Sequence, residues 1–100
     1  MFARTTHLQL QPSKMDEFKR VFQEFIVPTL QRQPGFRSII LLTDDASNKV
    51  LGMTQWATEA DLIAIQTGDV NQELLGALRH LVAQPPVQES FTVSLQVEPI

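Results

Sequence analysis

The residues with the clearest chemical potential lie near the N-terminus, on an alternating segment that predicts a strand. Arg4 and Thr6 fall on the same side of this segment as Phe2 and Leu8. A guanidinium on an apolar face is costly when it is sealed in a core without a partner. Two interpretations remain open. Either a pocket between helix and sheet lets Arg4 and Thr6 orient a ligand, or Arg4 lies at a frayed strand end where its head reaches solvent or a carboxylate.

Aromatic residues further along the chain supply candidate walls for such a pocket. Trp56 is the only tryptophan and ends the third predicted strand, where it is either a pocket wall or a core anchor whose indole N–H finds a nearby acceptor. His80 lies two positions from the apolar stripe of the last predicted helix, a position that also fits a surface residue. The candidate catalytic residues are Arg4, Thr6 and Trp56, and the candidate substrate-binding residues are Phe22, Phe36 and His80.

Several classes of chemistry are disfavoured by composition. The chain contains no cysteine, which excludes disulfides, thiolate metal sites and cysteine nucleophiles. No histidine and carboxylate fall at helical ligand spacing, so a metal site is not expected. The four glycines are isolated from one another, which argues against a phosphate-binding loop. A serine nucleophile lacks the strand-turn-helix context that exposes it in hydrolases.

Length and charge limit the domain count and the partners. The 100 residues, of which 43% are apolar, predict one domain over residues 1–100. The formal net charge is -3 and the eight lysines and arginines are scattered, so nucleic acid is not an expected partner. No stretch approaches the roughly 18 apolar residues of a membrane span, and no export signal precedes the first strand. We therefore expect a cytoplasmic protein without a membrane partner.

The elements that position the candidate residues follow from hydrophobic periodicity. The pattern predicts strands over residues 2–11, 36–43, 50–57 and 87–97, and helices over about 13–31, 59–66 and from 69 or 71 to before Pro85. The order strand, helix, strand, strand, helix, strand is typical of the ferredoxin-like (βαββαβ) α+β fold. In that fold the helices cover one face of a four-stranded antiparallel sheet.

Local signals set the helix ends. Ser13 with Asp16, and Thr58 with Asp61, have the spacing of N-cap pairs. Pro28 lies inside the first predicted helix, and its ring would meet the carbonyl of the residue four positions earlier. We therefore expect a kink there.

The uncovered face of the sheet must meet water or another subunit. Alternation predicts that only neutral polar side chains line this face on the two strands nearest the termini. Such groups can be buried against a second copy without desolvating ions, which favours a homodimer with its sheets face to face. An ordinary solvated face is the alternative. The predicted face comprises Thr5, His7, Gln9, Gln11, Gln88, Ser90, Thr92, Ser94 and Gln96.

Three local motifs resemble those of a known family. They are the Pro-Ser-Lys turn at residues 12–14, the Gln-Pro-Gly-Phe sequence at 33–36 that closes the first helix, and the Trp-Ala-Thr-Glu junction at 56–59. With these motifs the chain resembles the antibiotic biosynthesis monooxygenase (ABM) domain superfamily of dimeric α+β barrels, over nearly its whole length. The resemblance implies a homodimer and a cavity between helices and sheet.

The resemblance also implies a class of reaction. Members oxygenate quinols or polyphenols without a metal, flavin or other cofactor, because the electron-rich ring itself supplies electrons to dioxygen. The chain would then be an oxidoreductase for a small aromatic ligand, with Arg4 stabilising a phenolate and Trp56 walling the ring.

Two alternatives stay open. A haem-degrading branch of the same family uses an asparagine on the first strand, a tryptophan in the short helix and a histidine in the last helix. Here Thr6 stands near the expected asparagine, the short helix lacks tryptophan, and only His80 matches loosely. The other alternative is a non-catalytic accessory domain that binds a small molecule or a protein, because one fold supports many functions.

Overall fold

A computed structural model describes all residues from Met1 to Ile100. No helix in it is long and apolar enough to cross a membrane. The strands are β1 (Phe2–Gln9), β2 (Phe36–Asp44), β3 (Lys49–Trp56) and β4 (Val87–Thr92). The helices are α1 (Met15–Val21), a π-helical turn (Phe22–Ile26), α2 (Val27–Gln31), α3 (Glu59–Thr67) and α4 (Asp69–Leu78).

The four strands form one antiparallel sheet in the order β2-β3-β1-β4. The helices pack on one face of this sheet, which confirms the predicted ferredoxin-like α+β fold. One apolar cluster of 13 buried residues joins the two layers. Leu8 of β1 and Val50 of β3 pair directly across the sheet within this cluster, and Phe18 and Leu74 reach it from the helices.

The helix that follows β1 changes its winding where proline enters it. Pro28 lies in the first turn of α2 and offers no N–H to the preceding turn. The π-helical turn Phe22–Ile26 lies directly before α2. A wider turn keeps the proline ring away from the carbonyl of Glu24, so the predicted kink takes the form of a π-helical turn.

The two predicted N-caps have different outcomes. Thr58 caps α3, since its Oγ1 accepts a hydrogen bond from the backbone N–H of Asp61 at 3.1 Å, as predicted. The Ser13 cap is wrong. Lys14 is the residue that precedes α1, and Ser13 has a φ of 67° in the turn after Pro12. Its left-handed backbone places Ser13 outside the N-cap position, and no side chain caps α1.

The turn between α2 and β2 requires glycine. Gly35 has a φ of 78°, a conformation that L side chains rarely adopt. A Cβ at this position would overlap the side chain of Asp61 at the start of α3. Since the backbone carbonyl of Gly35 also accepts from Ala57 N–H at 2.8 Å, this turn locks the end of β3 to the start of β2.

The last strand departs from its prediction in length and in orientation. β4 ends at Thr92 and not near Val97. Its register pairs Thr6 with Gln88 and Arg4 with Ser90, and residues paired across an antiparallel sheet share a face. Gln88, Ser90 and Thr92 therefore face the helices, which overturns their predicted place on the uncovered face.

The open face, meaning the face of the sheet opposite the helices, consequently carries apolar residues as well as polar ones. It also carries Glu89, whose Oε1 lies 3.5 Å from His7 Nε2, so the prediction that only neutral polar side chains line it is wrong. Thr5, His7 and Gln9 lie on it as predicted. Residues two apart on a strand share a face, so Arg4, Thr6 and Leu8 point to the helices and the residues that alternate with them point to the open face. Val87 and Phe91 of β4 point the same way as His7 and are 57% and 51% exposed. The remaining large apolar members are Ile40, Leu42, Leu51 and Met53.

Candidate functional site

An apolar cavity of about 80 Å³ lies between the sheet and the helices. Of its 19 lining residues 13 are hydrophobic, which makes its interior suited to a ring or an alkyl group. The sheet contributes Arg4, Thr6, Leu8, Ile39, Leu41, Val50, Gly52, Thr54, Trp56 and Gln88. The helices contribute Phe18, Phe22, Ile26, Leu30, Ile65, Asn71, Leu74, Leu75 and Leu78.

Small residues on the sheet and the π-helical turn above it leave this space open. Thr6, Gly52 and Thr54 are neighbours on the covered face of β1 and β3. A Cβ at Gly52 would meet no atom within 4 Å. Phe22 and Ile26 begin and end the π-helical turn, and both line the cavity. These small residues therefore leave a gap between the sheet and the helices that larger strand residues would fill.

Arg4 is the charged group of the cavity. Its Nη2 donates to Gln88 Oε1 at 2.7 Å and its Nη1 donates to Asn71 Oδ1 at 3.4 Å. Its Nε is buried and has no hydrogen-bond partner. No carboxylate forms a salt bridge with Arg4. Burial lowers the pKa of the Arg4 guanidinium from its usual value, because a low-dielectric surrounding disfavours the charged form.

Two further hydrogen bonds fix the polar side chains around Arg4. Gln88 Nε2 donates to Thr6 Oγ1 at 3.2 Å, so one glutamine holds both Thr6 and Arg4. Trp56 Nε1 donates to Thr54 Oγ1 at 3.0 Å. Trp56 is 1% exposed and belongs to the core cluster, yet it also lines the cavity. The two interpretations of Trp56, core anchor and pocket wall, therefore both describe its position.

The structure brings four of the six candidate residues to the cavity and leaves two outside it. Arg4, Thr6, Trp56 and Phe22 line it. Phe36 instead packs behind Trp56, with ring centroids 5.7 Å apart in an edge-to-face arrangement. His80 follows α4 at the surface, where its Nε2 lies 2.9 Å from Glu17 Oε2.

Sequence analysis missed three polar members of the site, Thr54, Asn71 and Gln88. Asn71 lies one turn before Leu74 and Leu75, and Leu78 continues the same helical stripe, so its place on the buried face was visible in the spacing. Gln88 carried no such signal. Its alternation with Val87 favoured the opposite face, and only the register with β1 places it beside Arg4.

The composition of the lining sets what the cavity can do chemically. Arg4 is its only ionisable residue, and the other polar side chains are neutral hydroxyls and amides. Such a site can attract and orient an anionic oxygen but contains no carboxylate, imidazole, amine or phenol to accept a proton. No group of three or more histidine or acidic residues could hold a metal ion.

The comparison with family models decides the relationship of the chain. The model described as "Antibiotic biosynthesis monooxygenase" matches residues 1–84. The chain belongs to this family. In this antibiotic biosynthesis monooxygenase family member, β1, the four helices and every cavity-lining residue except Gln88 lie inside the matched region. Strand β4, which carries Gln88, lies beyond it. A comparison with curated proteins gives no significant match.

Solved structures share the fold of this antibiotic biosynthesis monooxygenase domain at low sequence identity. A monooxygenase from ActVA-Orf6 of Streptomyces coelicolor, in complex with nanaomycin D, has a TM-score of 0.81 and 18% identity, covering 99% of this chain and 92% of its own. SnoaB, a cofactor-independent oxygenase from Streptomyces nogalater, has a TM-score of 0.79 and 20% identity, covering 98% of this chain and 97% of its own. NE2512 of Nitrosomonas europaea, a protein of unknown function, has a TM-score of 0.78 and 19% identity, covering 99% of this chain and 94% of its own.

Proposed function

We propose that the chain is a cofactor-independent monooxygenase that oxidises a small quinol-type aromatic in the cavity between helices and sheet. The observation that carries this proposal is the Arg4 guanidinium, which lines a mostly apolar cavity and has no carboxylate partner. Family membership supports the reaction class, and SnoaB, a structural neighbour, is a cofactor-independent oxygenase.

In the proposed reaction the substrate supplies all the electrons. For hydroquinone, dioxygen adds one oxygen atom to the ring and the other leaves as water, giving hydroxybenzoquinone. A ring C–H bond and the O–O bond break, a C–O bond forms, and the ring loses four electrons while dioxygen gains four. Arg4 would stabilise the phenolate that reacts with oxygen, because a fixed cation in a water-poor site favours developing negative charge. Trp56 and Phe22 would hold the ring.

Oxygen consumption tests this proposal directly. Hydroquinone and anthrone are mixed with the protein under nitrogen, and oxygen uptake is measured after air is admitted. We expect uptake above the spontaneous rate, and about a 10²-fold loss of turnover in Arg4→Ala, the scale of removing one charge-stabilising donor. Arg20→Ala removes an exposed arginine outside the cavity and should keep full activity. No uptake with any quinol or phenol would overturn the proposal.

A second candidate function is binding without turnover. The absence of any proton-accepting side chain in the cavity lining favours it, because an enzyme that ionises its substrate normally provides a base. The same experiment separates the two. Saturable quinol binding without oxygen uptake would identify a binding protein.

We also propose that two copies associate through the open face. Ile40 and Leu42 of β2 adjoin Leu51 and Met53 of β3 on this face, and contiguous apolar patches on soluble proteins mark interaction surfaces. Val87 and Phe91 lie on β4 at the other edge of the sheet, beyond Thr5 and His7 of β1. The neutral polar residues first predicted to form this interface, Gln88, Ser90 and Thr92, do not contribute to it. Apolar burial is therefore the basis of the proposed homodimer.

A further inference from the structure

The cavity wall contains one charge and no group that could take up a proton. Besides Arg4, its polar side chains are Thr6, Thr54, Asn71 and Gln88, all neutral at any physiological pH. A neutral phenol that enters this cavity would have to lose its proton to bulk water without help from the protein. A ligand that is already an anion needs no such step.

The hydrogen bonds of Arg4 leave its charge without a counter-ion. Two of its nitrogens bind amide oxygens, Gln88 Oε1 at 2.7 Å and Asn71 Oδ1 at 3.4 Å. Amide dipoles orient a guanidinium but do not neutralise it, and its buried Nε has no partner. An anionic oxygen of a ligand would neutralise the charge and form the charge-assisted hydrogen bonds that a carboxylate residue provides elsewhere.

The size of the cavity restricts the rest of the ligand. Its volume of about 80 Å³ is smaller than the roughly 150 Å³ of an engineered apolar cavity that accepts benzene. A single ring therefore enters the apolar part between Trp56, Phe18 and Leu74 only if lining side chains move apart, and each further fused ring requires a larger displacement of the packed core. Arg4 and Gln88 are only partly buried, so the charged group lies at the mouth and the ring points inward.

We propose that the cavity selects monocyclic aromatic anions, namely benzoate-type carboxylates or phenols acidic enough to be ionised before they bind. The inference rests on the proposed function for the identity of the site. It narrows the phenolic substrates to those that are ionised before they bind, and benzoate-type carboxylates would bind as ligands without being oxygenated. Arg4 recognises the charge, and the small cavity disfavours polycyclic compounds because each added ring displaces more of the packed lining.

Equilibrium binding under nitrogen tests the proposal without any turnover. Benzoate and its neutral isostere benzamide are titrated into the protein by calorimetry, with the emission of Trp56, the only tryptophan, as a second readout inside the cavity. We expect benzoate to bind at least about tenfold more tightly than benzamide, the ratio that one charge-assisted hydrogen bond provides. Naphthalene-2-carboxylate and anthracene-9-carboxylate should bind at least about tenfold more weakly than benzoate.

Two variants assign the preference to Arg4. Arg4→Gln should bring the affinities of benzoate and benzamide to within about threefold of each other, while Arg20→Gln removes an equal charge at the surface and should leave their ratio unchanged. Circular dichroism checks that both variants fold. If Arg4→Gln does not fold, the benzoate to benzamide ratio of the wild-type protein decides alone.

Equal affinities for benzoate and benzamide, an unchanged ratio in folded Arg4→Gln, or tighter binding of the polycyclic carboxylates would each overturn the proposal. Its failure is distinguishable from that of the proposed function. Oxygen uptake with neutral quinols and no preference for anions would refute only the substrate class. Selective binding of benzoate without uptake of oxygen by any quinol or phenol would refute only the oxygenase activity.

Discussion

Each face of the sheet carries some residues of the kind that is usual on the other face. The covered face carries the polar residues Arg4, Thr6 and Gln88 around a cavity, whereas the open face carries Leu42 and Phe91 in partial exposure. Antiparallel sheets with one covered face usually place apolar residues inward and polar residues outward. In this chain we attribute the inward polar residues to the proposed site and the outward apolar residues to the proposed interface.

Alternation along a strand separates its side chains into two sets on opposite faces, but it does not show which of the two faces the helices cover. On β4 the polar set faces the helices because it completes the cavity around Arg4. Val87 and Phe91 face outward together with Glu89, on the face where we propose a second layer. Each prediction below tests one face against a matched position elsewhere in the chain.

The largest effect is expected from the packed core between the helices and the covered face of the sheet. Phe18 is 0% exposed, so Phe18→Ala should lower the free energy of unfolding by about 3–5 kcal/mol through lost burial and a new cavity. Phe25 lies in the same helical segment but is 39% exposed, and Phe25→Ala should cost less than about 1 kcal/mol. Urea denaturation measures both. Similar losses would mean that the helices do not pack as described.

The open face is tested by a charge placed within it. Leu42→Glu should weaken self-association at least about 100-fold, because an unpaired carboxylate is costly inside an apolar interface. Ile63 of α3 is similarly exposed but lies on the helical side, so Ile63→Glu should leave association unchanged. Sedimentation velocity across a concentration series measures both. A wild-type protein that stays monomeric would refute the proposed dimer.

Sequence patterns predicted most of the fold because local rules decide it. The Thr58 cap, the Gly35 turn and the order of the elements follow from spacing and backbone preference. The Ser13 cap failed because the turn after Pro12 adopts a left-handed residue before the helix begins. The alternation of the last strand continued to Val97, yet the sheet pairs it only to Thr92.

The candidate site was only partly predictable for a different reason. Arg4 and Thr6 stood out because they interrupt an apolar face within one strand. Gln88 depends on the pairing of residues more than 80 positions apart, which no local pattern contains. His80 and Phe36 were chosen by residue type, and the structure places one at the surface and the other behind Trp56.

A smaller effect is expected from adding a methyl group to the cavity floor. Gly52→Ala places a Cβ in open space within the cavity, so we expect it to stabilise the fold by about 0.5–1 kcal/mol while weakening benzoate binding. Gly76→Ala on the exposed side of α4 also meets no neighbouring atom and should stabilise the fold without changing binding. Thermal denaturation and calorimetry measure the two effects. Unchanged affinity in Gly52→Ala would place the ligand elsewhere.

The smallest effect is expected from pH. Burial lowers the pKa of Arg4, so its charged form costs stability at every pH below that pKa, and this cost is constant where the group stays protonated. Arginine stays protonated in proteins, and no other lining residue titrates. Benzoate affinity should therefore vary less than about twofold between pH 6 and 9. A clear sigmoidal change would reveal a titrating protein group at the site.

The central claim, that Arg4 at the covered cavity receives an anionic ring, is tested most directly by nuclear magnetic resonance of the wild-type protein. Benzoate is titrated while the Arg4 Nε–H and the Trp56 indole N–H are followed, since the first has no hydrogen-bond partner and the second lies in the cavity wall. The account predicts a saturable downfield shift of the Arg4 Nε–H with benzoate and none of that size with benzamide. Shifts confined to the open face around Leu42 and Val87, with Arg4 unmoved, would contradict it.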